Sequence, residues 1–223
     1  MNILITGGAG YVGNELAFEL LKSSEVEQII IYDNLSRKNY NLFIDTRYPA
    51  GKVKFVFGDM LDSRKLRIVI KDVDVVFHLA ARVSTPFAFE DSHLFEQTNH
   101  WGTAELVYAL EGSRVSKFIY ASTTSVYGSS EQEIDIHTVP NPKSFYGNSK
   151  LRGETHVEQL SARIPTYILR IGNIYGYSPS IRFDAVINRF LFEANFNGQI
   201  QITGNGKQLR SFIHVDRVVN VMC

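Results

Sequence analysis

An apolar pentad, Asn2–Thr6, runs without a break into Gly7-Gly8-Ala9-Gly10-Tyr11-Val12-Gly13. The stretch satisfies G-x-x-G-x-x-G from Gly7 and G-x-G-x-x-G from Gly8. Glycines in this place let a strand turn sharply into a helix, let backbone N–H groups approach a pyrophosphate, and let the helix pack closely on the strand. A second apolar run follows and ends at Asp33, twenty positions after Gly13. That is the spacing of a dinucleotide fingerprint, in which the acid accepts hydrogen bonds from the adenosine ribose and repels a 2′-phosphate. NAD is therefore expected rather than NADP. Arg37 and Lys38 are either solvated loop charges or phosphate ligands. Asp59, closing the third apolar run, either lies by the adenine or caps the helix that follows.

The rest of the chain repeats this rhythm. Asn2–Thr6, Gln28–Tyr32, Val53–Phe57, Val73–His78, Lys117–Ala121 and Pro165–Arg170 read as strands, with helices near Val12–Ser23, Ser63–Lys71, Ser92–Ser113, Phe145–Ala162 and Arg182–Ala194. Near-continuous apolar strands separated by amphipathic stretches predict a doubly wound parallel α/β sheet, the Rossmann arrangement. Asp62 or Ser63, and Ser144, are the expected helix caps. After about residue 171 glycines punctuate shorter segments and the rhythm fades. We therefore expect a dinucleotide-binding domain over 1–171 and the start of a substrate-binding region over 172–223.

Composition narrows the partners. Of 223 residues, 23 are Lys or Arg and 23 are Asp or Glu, so no net field draws the chain to nucleic acid or anionic lipid. Cys223 is the single cysteine, and no apolar run approaches the ~18 residues of a membrane span. No disulfide framework, metal cluster, nucleic-acid or membrane partner is expected, and a cytoplasmic location is.

Tyr146-Gly147-Asn148-Ser149-Lys150 sets a phenol and an ammonium at i and i+4 on one helix face. A tyrosine of ordinary pKa ~10 is a poor base at neutral pH, and a neighbouring cation favours its phenolate. About twenty residues earlier, the fifth strand ends in Ala121-Ser122-Thr123-Thr124-Ser125-Val126-Tyr127-Gly128, where a hydroxyl can share a proton in transit.

These motifs, in this order, with His78-Leu79-Ala80-Ala81 and Asn99, resemble the extended short-chain dehydrogenase/reductase family, and within it the nucleotide-sugar epimerases and dehydratases of UDP-glucose 4-epimerase type. The resemblance covers essentially the whole chain. It implies Thr123, Tyr146 and Lys150 as catalytic residues, with Lys150 also on the nicotinamide ribose. The implied cofactor set is Gly7, Gly10, Tyr11, Val12, Gly13, Asp33, Asn34, Asp59, Met60, Leu79, Ala80, Ala81, Asn99, Tyr146 and Lys150. His78 is expected on the cofactor side without a catalytic role, or as a satisfied strand-end histidine.

Leu169-Arg170-Ile171-Gly172-Asn173-Ile174-Tyr175-Gly176 is similar to a further family stretch, which assigns Asn173 to the substrate diphosphate. Arg210 is assigned there too, although Ser211 stands where the family commonly has Asp. Thr123 and Thr124 complete the implied substrate set. The family's dehydratases carry Asp-Glu directly after the catalytic threonine, where this chain has Thr124 and Ser125, so the expected reaction is inversion at C4 of a nucleotide-diphosphate sugar through a 4-keto intermediate. Alternatives are an oxidoreductase, decarboxylase or dehydratase of the same family, and a non-catalytic dinucleotide-binding protein. The resemblance further implies a homodimer through the helices near 92–113 and 145–162. It also implies roughly a hundred additional residues of substrate domain in typical members, so that this chain looks incomplete.

Overall fold

The computed structural model describes residues 1–83, 92–130, 133–202 and 204–223. Stretches such as Ile29-Ile30-Ile31 bury consecutive side chains on opposite faces, which only a sheet covered on both sides accommodates. Six such strands, β1 (Asn2–Thr6), β2 (Gln28–Asp33), β3 (Val53–Phe57), β4 (Val75–His78), β5 (Lys117–Thr123) and β6 (Thr166–Ile171), pair in parallel in the order β3-β2-β1-β4-β5-β6. The order reverses between β1 and β4. A crevice opens at such a point outside the strands' carboxyl ends.

Two cores flank the sheet. On one face Leu4, Tyr32, Val76, Phe118 and Tyr120 pack under α2 (Ser63–Ile70), α4 (Gly102–Leu110) and α5 (Phe145–Leu160). On the other, Ile3, Ile5, Ile31, Phe77 and Ile119 pack under α1 (Tyr11–Leu20) and α7 (Val215–Met222). The last helix thus returns to the first. Its Val215, Val218, Val219 and Met222 are all buried, and each such side chain contributes roughly 1.5–3 kcal/mol over leaving it in water.

The caps fall where expected: Asp62 accepts from the Lys65 N–H at 3.0 Å and Ser144 from the Gly147 N–H at 3.0 Å. Among the boundaries that differ, three have a clear cause. β5 runs two residues further, to Thr123, because β6 continues pairing with it there. The stretch expected as one helix from Ser92 is α3 (Ser92–Phe95), a π-helical turn over Glu96–Trp101, and α4. The last long helix, α6 (Val186–Asn197), starts four residues later than expected, since Arg182 and Asp184 are paired to each other in the preceding loop and Ala185 is extended. A separate pair of short parallel strands, β7 (Asn173–Tyr175) and β8 (Phe212–His214), walls the far side of the crevice.

Candidate active site

The crevice is a cleft of about 1290 Å³, beyond the ~300–1,000 Å³ of a typical single-ligand pocket. Its floor is the glycine turn. Gly7 has φ +70°, and a Cβ on it would lie 2.6 Å from the Ala80 nitrogen. A Cβ on Gly13 would lie 2.6 Å from Gly8 Cα, so α1 can approach the turn only without that side chain. Gly10 caps α1 with no side-chain hydrogen bond, leaving the first N–H groups of the helix without a side-chain acceptor at the cleft, where Gly10, Tyr11, Val12 and Gly13 all line the wall.

Asp33, at the end of β2, accepts from the N–H groups of Ala9 (3.2 Å) and Leu35 (2.8 Å). Burial pushes its carboxyl above the usual range, against the pull of these two donors. Beside it, Asn34 donates to the Asp59 carboxylate at 2.9 Å, and the Tyr32 hydroxyl donates to the Asp59 carbonyl at 2.7 Å. Asp62, not Asp59, caps α2; Asp59 lines the cleft, with Met60 next to it. Leu79, Ala80 and Ala81 form the opposite lip.

The glycine cradle, the open helix terminus and the Asp33 carboxylate together suit the pyrophosphate and ribose of a dinucleotide. Arg37, on the cleft wall and exposed, reaches Asp184 at 3.4 Å.

At the other end, Thr123, Thr124, Ser125 and Tyr146 line the cleft together. Burial raises the Tyr146 phenol above its ordinary value, while a hydrogen bond with the Thr123 side chain and the positive charge of Arg182 pull it down. Lys150, one turn on, is 1% exposed. Its ammonium sits 4.1 Å over the Tyr120 ring centre and has no hydrogen-bond partner. Burial draws its pKa down to about 7, opposed by the charge of Glu154. Lys150 itself does not line the cleft; its unpartnered ammonium lies buried one helical turn beyond Tyr146, which does.

Two further residues lie inside the protein, Asn99 away from the cleft and His78 as the satisfied strand-end histidine that was one of its two readings. Asn99 is fully buried and does not line the cleft. Within the π-helical turn its amide oxygen accepts from the Arg82 N–H (2.7 Å), and its nitrogen donates to the Arg82 carbonyl (2.8 Å) and Ser149 Oγ (3.0 Å). It fixes the lip rather than facing a ligand. His78, also fully buried, bridges Thr6 (2.6 Å) and Thr103 (2.9 Å). The Thr103 hydroxyl donates to the Asn99 carbonyl, so it accepts from His78 Nε2–H, and His78 Nδ1 accepts from Thr6. Burial holds this imidazole neutral, well below its ordinary pKa, and the core-histidine reading is the right one.

On the far wall, Asn173 and Arg210 line the cleft. Asn173 Nδ2 donates to the Ser211 carbonyl at 3.1 Å, and exposed Arg210 reaches only the neighbouring Leu209 carbonyl, at 3.3 Å. Sequence reasoning passed over the loop between β7 and α6. There buried Ser178 and Ser180 donate to the carbonyls of Tyr11 and Ala9, both at 2.9 Å, and Asn188, in the first turn of α6, donates to the Tyr11 hydroxyl at 3.3 Å. The Tyr11 hydroxyl in turn donates to the Gly176 carbonyl. This irregular segment carries no periodicity and no motif, so nothing in the sequence marks it or Arg182 as part of the site. Among the described residues no group of three or more potential metal ligands is found, and no helix is long and apolar enough to cross a membrane.

Comparison with known proteins agrees with this geometry. The model of the NAD dependent epimerase/dehydratase family matches residues 3–223. The human dTDP-D-glucose 4,6-dehydratase is 33% identical over 97% of this chain, which spans 63% of the human protein's length. An uncharacterised UDP-glucose epimerase of Bacillus subtilis is 32% identical over 98% of the chain and 70% of its own. Among solved structures, the UDP-glucuronic acid 4-epimerase of Bacillus cereus, with UDP-glucuronic acid and NAD, superposes with a TM-score of 0.86 at 29% identity, covering all of this chain and 72% of that one. A dTDP-glucose 4,6-dehydratase of Streptomyces venezuelae, with NAD bound, gives 0.89 at 26% identity, covering all of this chain and 70% of its own.

Proposed function

Because the chain belongs to the NAD-dependent epimerase/dehydratase family, we propose that it inverts C4 of a nucleotide-diphosphate sugar through a 4-keto sugar. The observation that carries this reading over dehydration is the pair of hydroxyl side chains, Thr124 and Ser125, beside Thr123 on the cleft wall. Eliminating water across C5–C6 calls for an acid and a base in addition to the tyrosine. The acids among the described cleft residues are Asp33 and Asp59, at the ends of β2 and β3, and Asp184, engaged by Arg182 at 2.7 Å.

Bound NAD supplies a reversible hydride acceptor beside the sugar. Tyr146 takes the proton of the C4 hydroxyl and returns it after inversion, and Thr123 shares that proton through its hydrogen bond to the phenol. Lys150, as an ammonium, favours the phenolate and donates to the nicotinamide ribose. Gly7, Gly10, Tyr11, Val12 and Gly13 cradle the pyrophosphate and Asp33 holds the adenosine ribose. Asn34, Asp59, Met60, Leu79, Ala80 and Ala81 enclose the remainder. Asn173 and Arg210 grip the substrate diphosphate, Arg210 through the bidentate fork that phosphate prefers. Concentrating binding energy on nucleotide and diphosphate leaves the keto sugar free to turn over. The same reading takes the protein as a cytoplasmic homodimer formed through α4 and α5.

The test is proton NMR of UDP-, GDP- and dTDP-sugars incubated with the protein and catalytic NAD⁺, with Tyr146→Phe as control. Inversion at C4 without net NADH, abolished in the variant while NAD binding persists, is the expected result. A 4-keto-6-deoxy product would replace the epimerase with a dehydratase, and no conversion by a protein that binds NAD would overturn the proposal.

A further inference from the structure

Lys150 presents a physical problem. A lysine buried to 1% exposure, with no hydrogen-bond partner, loses its proton readily, yet the chemistry proposed above needs the cation. The groups facing it from each packed element are few. His78, on β4, is held neutral by burial, and Tyr120, on β5, is a phenol whose pKa burial raises far above neutrality. Tyr146 precedes it by one turn on α5. Glu154 follows by one turn on the same face, and its carboxylate is 1% exposed.

That carboxylate is held from two other strands. Arg170, on β6, donates to it through Nε at 3.1 and 3.2 Å and through Nη2 at 2.7 Å, and Ser122 Oγ, on β5, donates to it as well. Arg170 is itself anchored, donating to the Tyr127 hydroxyl at 2.9 Å and lying 4.9 Å over that ring. Three donors hold the Glu154 carboxylate in one place. It is the carboxylate whose charge acts on Lys150.

We propose that Glu154 is a positioning residue for the reaction: its carboxylate, buried one helical turn from Lys150 and clamped by Arg170 and Ser122, favours the ammonium form of the buried Lys150 side chain. The assignment of a role to Lys150 rests on the proposed function, but the charge state of Lys150 is measurable without substrate. Ser122 immediately precedes Thr123, and Arg170 and Tyr127 lie in the two stretches flanking the substrate wall. The clamp therefore also ties the catalytic helix to the strand end that bears the proton-sharing hydroxyl.

The experiment is an NMR titration of the protein labelled with ¹³C at lysine Cε, with Lys150 assigned by its absence in Lys150→Met. Glu154→Gln should lower the Lys150 midpoint by about one pH unit or more, the size expected when a nearby buried opposite charge is lost. In active enzyme the alkaline limb of the kcat/KM profile should move down by the same amount. Glu154→Asp, which keeps the charge, should restore most of the shift, whereas a purely structural brace would leave the midpoint in place in every folded variant. Should Glu154→Gln not fold, the double variant Glu154→Met with Arg170→Met removes both buried charges, a replacement that proteins tolerate. Its midpoint should fall as well. An unmoved Lys150 midpoint in either folded variant overturns the inference. A shifted midpoint in a protein that converts no sugar would leave it standing while the proposed function falls.

Discussion

Lys150 shows what burying an ammonium costs its protein. Burial draws its pKa to about 7 from an unfolded value near 10.4, so at pH 7 the unfolded chain binds the proton more strongly than the folded one. Stability must then rise with pH across the interval between the two values. We expect Lys150→Met to be more stable than the parent at pH 7, on the order of 3 kcal/mol by this linkage, and the gap to close as the pH approaches 10. Urea denaturation of both proteins at pH 7 and pH 10 checks this, and a variant less stable at pH 7 would refute it. His78 illustrates the opposite case: its neutral ring, between Thr6 and Thr103, has both nitrogens satisfied and serves the core alone.

At the scale of elements, the contact between the glycine turn and α1 is the tightest constraint. A methyl group on Gly13 would have to displace Gly8 Cα and the Gly7 carbonyl, backbone atoms that have nowhere to go. Gly13→Ala should cost roughly 2 kcal/mol or more, the range of forced overpacking, and should weaken NAD binding at least about tenfold by moving the helix terminus off the pyrophosphate. Denaturation together with a fluorescence titration of NAD would measure both, and wild-type values in both would show that the turn has slack. The π-helical turn at Glu96–Trp101 is a second device at this scale. By rotating Asn99 onto the Arg82 backbone and Ser149, it joins the cleft lip to α5.

At the scale of the whole molecule, the outer face of α4 and α5 carries an aromatic and imidazole cluster. Trp101 is 56% exposed and Tyr108 51%. His100 stacks between Trp101 and His156, with Glu96 accepting from His100 Nδ1 at 3.0 Å and pairing with Arg152. If a second copy covers this face, as the proposed homodimer requires, Trp101→Glu buries a charge there and should yield monomers in sedimentation velocity, with NAD affinity unchanged. A wild-type protein that sediments as a monomer would remove the dimer. The six strands of a doubly wound sheet, the glycine turn, Asp33 and the i, i+4 placement of Tyr146 and Lys150 were all legible in the sequence, while the strand order came only from the structure. Each is specified locally, by continuous apolar runs, by residues that lack a Cβ, or by a four-residue helical repeat. What only the tertiary structure decided involves pairs far apart in the chain: Glu154 with Arg170 and Ser122, Arg37 with Asp184, and Ser178 and Ser180 on the glycine turn. Asn99, assigned to the cofactor by motif, is an internal fastener, and of the two readings of His78 the structure matches the satisfied strand-end histidine. A hydrogen bond between distant residues leaves no period in the sequence, because its partners meet only after the sheet has assembled.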